Sequence, residues 1–148
     1  MPTPFESAQL NLQLFDLRRE PLLRKARDWY LLEFHPESFD AYFKEQMGEK
    51  NSWMRMVIGY WDMAASMVVQ GAISQESFIA AHGEIIGTFA KVQPFLAELR
   101  GRMGPSVCAN IETVVMAIPN AGSELDARRT RLKARWEAQQ ATKAGFLV

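Results

Sequence analysis

The sequence is short of the residues that most catalytic and metal chemistry uses. It has one cysteine, Cys108, so no disulfide can form within the chain, and there is no CxxC pair to hold structural zinc. Its two histidines are His35 and His82. Neither sits in a His-x-x-x-His or Glu-x-x-His pattern, which excludes the common helical metal sites. Ser106 lacks the Gly-x-Ser-x-Gly context of a nucleophile elbow. Gly101-Arg102-Met103-Gly104 follows no strand and leads to no Lys-Ser/Thr, so it is not a phosphate loop. Neither sign of charge dominates: 17 basic residues balance 17 acidic ones, which leaves no global field toward nucleic acid or an anionic membrane. Strand-like alternation, internal repeats, low-complexity tracts and a domain-dividing linker are also missing. Met1 to Leu10 has neither the basic flank nor the apolar core of a signal peptide. No catalytic constellation, metal or cofactor is therefore expected, and the cytoplasm is the expected compartment.

What the sequence does have is helix. It is rich in Met, Trp and Phe and poor in β-type alternation, and 148 residues make one ordinary domain with a core of its own. Thr3-Pro4-Phe5-Glu6 opens a first helix with a capping box, and Leu10, Leu14 and Leu17 mark its face. Pro21 opens a second, with Leu22, Ala26 and Trp29 on one face and a basic cluster of Arg18, Arg19, Arg24, Lys25 and Arg27. His35-Pro36 ends it. A third runs from about Glu37 to Met47. Asn51 to Gln70 reads as a central rod, apolar almost all round, with a single polar stripe of Arg55, Gly59, Asp62, Ser66 and Gln70. Met54 to Ile73 is also the one transmembrane candidate, but Asp62 near its middle would cost about 3 kcal/mol, and no membrane span is expected.

After Ser74 comes the clearest seam in the chain. Phe78, His82, Ile85, Phe89, Val92, Leu96 and Leu99 follow alternating four and three spacings, with a kink expected at Pro94. Pro105 opens a shorter helix carrying Ile111, Val114 and Ile118. The last helix, about 123–143, has a thin apolar line of Leu125, Leu132 and Trp136 among basic residues, and is expected to project, or to dock through that line on its own bundle or on a partner. The expected fold is thus an all-α single-domain bundle, 1–148, of six or seven helices. Its central antiparallel pair is about 52–70 and 75–102.

The middle of the chain resembles a known type of domain. Val57-Ile58-Gly59-Tyr60-Trp61-Asp62, then Ala64-Ala65, then Val68-Val69-Gln70-Gly71-Ala72-Ile73 look like a bacterial family of small all-helical domains of unknown function. Phe89, Pro94, Arg100 and the upstream Arg24-Lys25-Ala26-Arg27 also look similar, so the resemblance covers about residues 16–100. Asp62 stands where a Glu is more typical, and the basic C-terminal helix is a further departure. The family brings no activity or cofactor. The resemblance implies that Arg24, Trp61 and Asp62 share one architecture, with an Arg24–Asp62 contact as a polar clamp.

Three functional readings follow. The leading one is a non-enzymatic module acting by protein–protein contact, self-associating through Leu125, Leu132 and Trp136; Met-rich surfaces suit adaptable binding. The second is small-molecule binding in an inter-helix pocket of about 300 Å³ or more, lined by Trp29, Trp61, Asp62 and His82. Against this, Asp62 can equally face solvent or pair with an arginine, and His82 can be a hydrogen-bonded core residue. The third and weaker reading is phosphate-backbone contact by the basic residues from Arg128 to Arg135.

Overall fold

The computed structural model describes residues 1–146, and all regular structure among them is helical. Helix α1 spans Pro4–Leu17. Its capping box is formed: Glu6 N–H donates to Thr3 Oγ1 at 3.1 Å and Thr3 N–H donates to Glu6 Oε2 at 2.8 Å. Helix α2 spans Pro21–Asp28, with Glu20 accepting from the amides of Leu22 and Leu23. It widens into a π-turn, Trp29–Glu33, and Phe34 leaves in extended geometry ahead of Pro36, as a pre-proline segment must. Next come α3, Phe39–Met47, capped by Ser38, and α4, Asn51–Val69. Gly71 ends the α4 turn in the left-handed region, at φ 83°, where only glycine is unstrained.

The stretch expected as one long helix, 75–102, is divided. It forms α5 (Gln75–Ala81), α6 (Glu84–Val92), a 3-10 turn (Gln93–Phe95) and α7 (Leu96–Met103). At the first break His82 leaves helical geometry, with φ −129° and ψ 49°. At the second, Pro94 has no N–H to offer the carbonyl of Ala90. Helix α8 is Ala109–Met116 and α9 is Ala121–Phe146.

The division changes the pairing. The expected central pair gives way to separate contacts: α4 packs chiefly on α8 and α2, α5 on α1, and α6 on α9. The most enclosed helix is α6, whose residues Ile85 to Val92 are all buried, and not α4, which keeps a solvent face along Arg55, Gly59 and Met63. The sidedness of the seam nevertheless holds: Phe78, His82, Ile85, Phe89, Val92, Leu96 and Leu99 are all buried in one core with Met54, Trp61, Ile111 and Leu125. No described helix is long and apolar enough to cross a membrane.

Helix α9 does not project from its base. It lies on α6, the π-turn and α8, and two of its arginines close the breaks beneath it. Arg129 Nη1 donates to Ala90 O at 3.0 Å, the carbonyl that Pro94 leaves free. Arg128 Nη1 donates to Gly83 O at 3.1 Å, beside the first break. The helix therefore divides in function along its length, with its first turns part of the core and its last turns exposed. Leu125→Ala is expected to lower unfolding free energy by about 2–5 kcal/mol through the cavity it leaves, whereas Ala138→Glu on the exposed turns should change it by no more than about 0.5 kcal/mol. Chemical denaturation of the two variants compares them directly.

Candidate functional site

The residues singled out in the sequence fall into three places. Asp62 faces the start of α8. Its Oδ1 accepts from the backbone amides of Asn110 at 3.0 Å and Ile111 at 3.1 Å, and its Oδ2 accepts from Asn110 Nδ2 at 3.0 Å. A helix N-terminus leaves amide donors unmatched, and a carboxylate there satisfies them and meets the positive end of the helix dipole. Cys108, the residue before α8, takes left-handed geometry at φ 56° and offers no side-chain cap, so Asp62 from α4 does that work. The expected Arg24–Asp62 contact is not formed: Arg24 Nη2 donates to Arg19 O at 3.3 Å. Backbone amides, which no sequence pattern marks, take the place of the expected guanidinium.

Beside this clamp is a cleft of about 270 Å³ with apolar walls from Met54, Ile58, Leu99 and Val107, and with Arg55 and Asp62 at its edge. It is slightly smaller than the pocket expected and has neither Trp29, Trp61 nor His82 on its wall. Cys108 lines it too, with burial pushing its thiol up to about 12, so the sulfur is a protonated, unreactive surface at neutral pH.

The second place is a buried polar seam between α1 and α5. The inner face of α1 keeps part of the leucine face read from spacing and adds polar residues to it: Leu14 is buried and Leu10 packs against the core, Ser7 and Asn11 are buried beside them, and Leu17 is exposed. Ser74 N–H donates to Ser7 Oγ at 3.2 Å. Asn11 Nδ2 donates to Ser77 Oγ at 3.2 Å, which leaves Asn11 Oδ1 to accept from His82 Nε2 at 3.2 Å. His82 is thus held as the neutral Nε2–H tautomer, and Nδ1 has no partner among the described residues. Its ring lies edge-on to Trp61 at 6.0 Å and tilted against Phe78 at 4.9 Å. Trp61 and His82 do come together, but away from the Asp62 carboxylate and its cleft.

The third place gathers Trp29 with other aromatics, stacked on Phe34 at 4.9 Å and edge-on to Trp53 at 6.1 Å. The expected interface residues of α9 also turn inward. Leu125 is fully buried, Leu132 packs beside Gly87, and Trp136 stacks on His35 at 4.9 Å.

One residue with chemical character escaped the sequence reading. Lys91 is buried, donates to the carbonyl of Phe34, and has its pKa lowered to about 8 by burial. The bond closes the end of the α2–π-turn helix, where a cation is favoured. The signal for it was a single cation within an otherwise apolar, fully buried stretch. Among the described residues no three His, Cys, Asp or Glu side chains are grouped to hold a metal.

With the fold and these sites in view, comparison with known proteins is short. Residues 4–117 match the model of a domain of unknown function, DUF4760. The chain belongs to the DUF4760 family. The resemblance read from Val57 to Ile73 was therefore sound, and the DUF4760 match is wider than the stretch that suggested it, running from the start of α1 to the end of α8. Helix α9 lies beyond it. No curated protein and no solved structure matches the chain.

Two measurements follow from this geometry. Asp62→Ala strands the α8 amides and is expected to lower stability by about 1–3 kcal/mol, while Asp62→Asn, which keeps one acceptor, should cost less; thermal melts of both provide the check. For His82, burial lowers the pKa from 6.5 to about 4. A depressed base binds fewer protons folded than unfolded, so its contribution is present above pH 6.5 and lost as pH falls toward 4, on the order of 3 kcal/mol. Stability measured across that window should fall more steeply for the wild type than for His82→Gln.

Proposed function

We propose that this DUF4760 chain is a non-enzymatic contact module, and that its contact face is the outer side of α1. The observation that carries this reading is an inverted helix. The side of α1 facing the bundle is half polar, with Ser7 and Asn11 beside Leu10 and Leu14, and the side facing solvent carries Phe5 at 71% exposure, Leu12 at 69% and Phe15 at 45%, with Ala8 also exposed. Phe5, Ala8, Leu12 and Phe15 are spaced three, four and three. At about 100° per residue they form one stripe about 80° wide. Isolated exposed apolar side chains need no explanation, but a continuous helical seam of them does.

A second copy of the chain is the occupant this seam suits. Its spacing reads the same in both directions. Two antiparallel α1 helices therefore place Phe5 level with the other's Phe15, and Ala8 level with the other's Leu12, so the small residue receives the large one. Self-complementarity of this kind is what a two-fold contact requires. Asp16 of each copy falls level with the first turn of the other α1, where negative charge is favoured. The self-association assigned from sequence to Leu125, Leu132 and Trp136 moves to α1, because those three side chains are spent on the chain's own bundle. A seam of four residues covers a few hundred Å², well below the ~800 Å² per partner of a standard interface, so the dimer is weak and forms at high local concentration.

Sedimentation across a concentration series tests this. The wild type is expected to pass from monomer toward dimer, and Leu12→Glu is expected to stay monomeric at every concentration with its helical signal unchanged. A wild type that is monomeric throughout, or a Leu12→Glu chain that dimerises equally well, contradicts the reading. The cleft beside Asp62 supports small-molecule binding as a second reading: its apolar walls and about 270 Å³ volume suit a small apolar ligand. Contact with nucleic acid has less support, since Arg128 and Arg129 are engaged with carbonyls of α6 and its flanks.

A further inference from the structure

The turn between α1 and α2 holds more positive charge than its surroundings neutralise. Arg18, Arg19, Arg24 and Arg27 line a cleft of about 510 Å³ between that turn and the start of α6, where the carboxylates are those of Asp28 and Glu84. Glu84 is already committed. Arg27 Nε donates to Glu84 Oε2 at 2.7 Å, Arg27 Nη2 donates to Oε1 at 3.0 Å, and Arg27 Nη1 donates to Arg18 O at 2.7 Å. This two-pronged pair removes one charge of each sign and fixes the cleft wall. Arg18, Arg19 and Arg24 remain, against Asp28.

Arg18 carries the argument. Its guanidinium lies 4.7 Å from the ring centre of Phe15 and 5.6 Å from that of Trp61. Aromatic contacts of this kind hold an arginine in place without using its N–H donors. Among the described residues, no carboxylate pairs with it and no oxygen accepts from it. Arg24 spends one donor on Arg19 O, and Arg19 lies 4.0 Å from an exposed Asp16 carboxylate, at the limit of an ion pair. On the opposite wall α6 begins at Gly83 without a side-chain cap. Arg128 reaches the same glycine from α9, and its Nε is buried with no acceptor. An ordered guanidinium with no acceptor, two more arginines only partly engaged, and a helix start without a side-chain cap, all lining one concavity, describe an anion site.

We infer that this cleft binds a small phosphate-bearing ligand, with Arg18 as its fixed anchor and Arg24 and Arg19 as flexible arms. Phosphate fits better than carboxylate. Three guanidiniums share one cleft, and a phosphate has peripheral oxygens enough for several such forks, whereas a carboxylate offers two oxygens in one plane. The volume lies within the range of small-ligand sites, about 300–1,000 Å³. The site is distinct from the α1 contact face, although Phe15 borders both.

The test uses the full chain labelled for NMR, titrated separately with pyrophosphate and with acetate, and vesicles containing phosphatidic acid in a sedimentation assay. Saturable pyrophosphate shifts are expected at Arg18 Nε and at the Gly83 and Glu84 amides, with little response to acetate and no sedimentation with vesicles. Arg18→Gln should nearly abolish binding. Because Arg18 packs on Trp61, the exposed Arg24→Gln serves as the variant that keeps the fold, and it should weaken binding severalfold. Leu12→Glu should bind pyrophosphate as the wild type does, which separates this site from dimerisation. Shifts that do not saturate, an equal response to acetate, affinity unchanged in both arginine variants, or binding confined to the vesicles would each overturn the inference.

Discussion

The constraint on which this structure turns is that backbone carbonyls released inside a protein need a new donor. A buried acceptor without one costs about 1–3 kcal/mol. Pro94 releases Ala90 O in the middle of the core, directly after the most enclosed helix, α6. Arg129 supplies the missing donor from α9, and Arg128 adds a second donor at Gly83 O, which already accepts from Ile86 N–H. These two arginines explain why a helix with a thin apolar line can lie flat on the bundle: Leu125 supplies buried area, and the guanidiniums supply direction and register. They also explain why α6 can be buried from Ile85 to Val92, since α9 covers the side that α8 and the π-turn do not reach.

The same logic runs through the smaller contacts. Phe34 O at the end of the π-turn is met by Lys91, and the α8 amides by Asp62. In each case a helix end is completed by a side chain from a different helix. A fold of short helices has many such ends, and covering them across helix boundaries turns separate segments into one body.

This also accounts for what the sequence made legible. Sidedness was readable: the seam from Phe78 to Leu99 is buried at every position named, because apolar spacing reports which way side chains point whether or not the helix is continuous. Continuity was only half readable. Pro94 announces its break, but the break at His82 depends on a hydrogen bond to Asn11, 71 positions upstream, and no local signal records it. Asp62 was visible as an unusual carboxylate on an apolar helix, yet its partners are backbone amides, which every residue has. Spacing read α1 in part: Leu10 and Leu14 do face the core, but Leu17 does not, and an apolar count passes over Ser7 and Asn11, which the bundle buries for their bonds to Ser74, Ser77 and His82. Lys91 was passed over, and the α9 arginines were read as a basic face, because cations are usually at the surface.

Helices α1 and α9 therefore stand in opposite relation to the rest of the molecule. α1 leaves its apolar seam outside and adds directional bonds to the bundle, while α9 turns its apolar residues inward, with Arg128 and Arg129 beside them, and leaves most of its other polar residues outside. The DUF4760 match begins at the first residue of α1 and stops just after α8, so the inverted helix lies within the matched domain and the arginine-bearing helix is added to it. The requirement at Ala90 is nonetheless set within the matched part, by Pro94. A DUF4760 domain with a proline at this place and no helix like α9 must satisfy that carbonyl with another donor or leave it open to water, and in the second case the α6 face that α9 covers here becomes a surface.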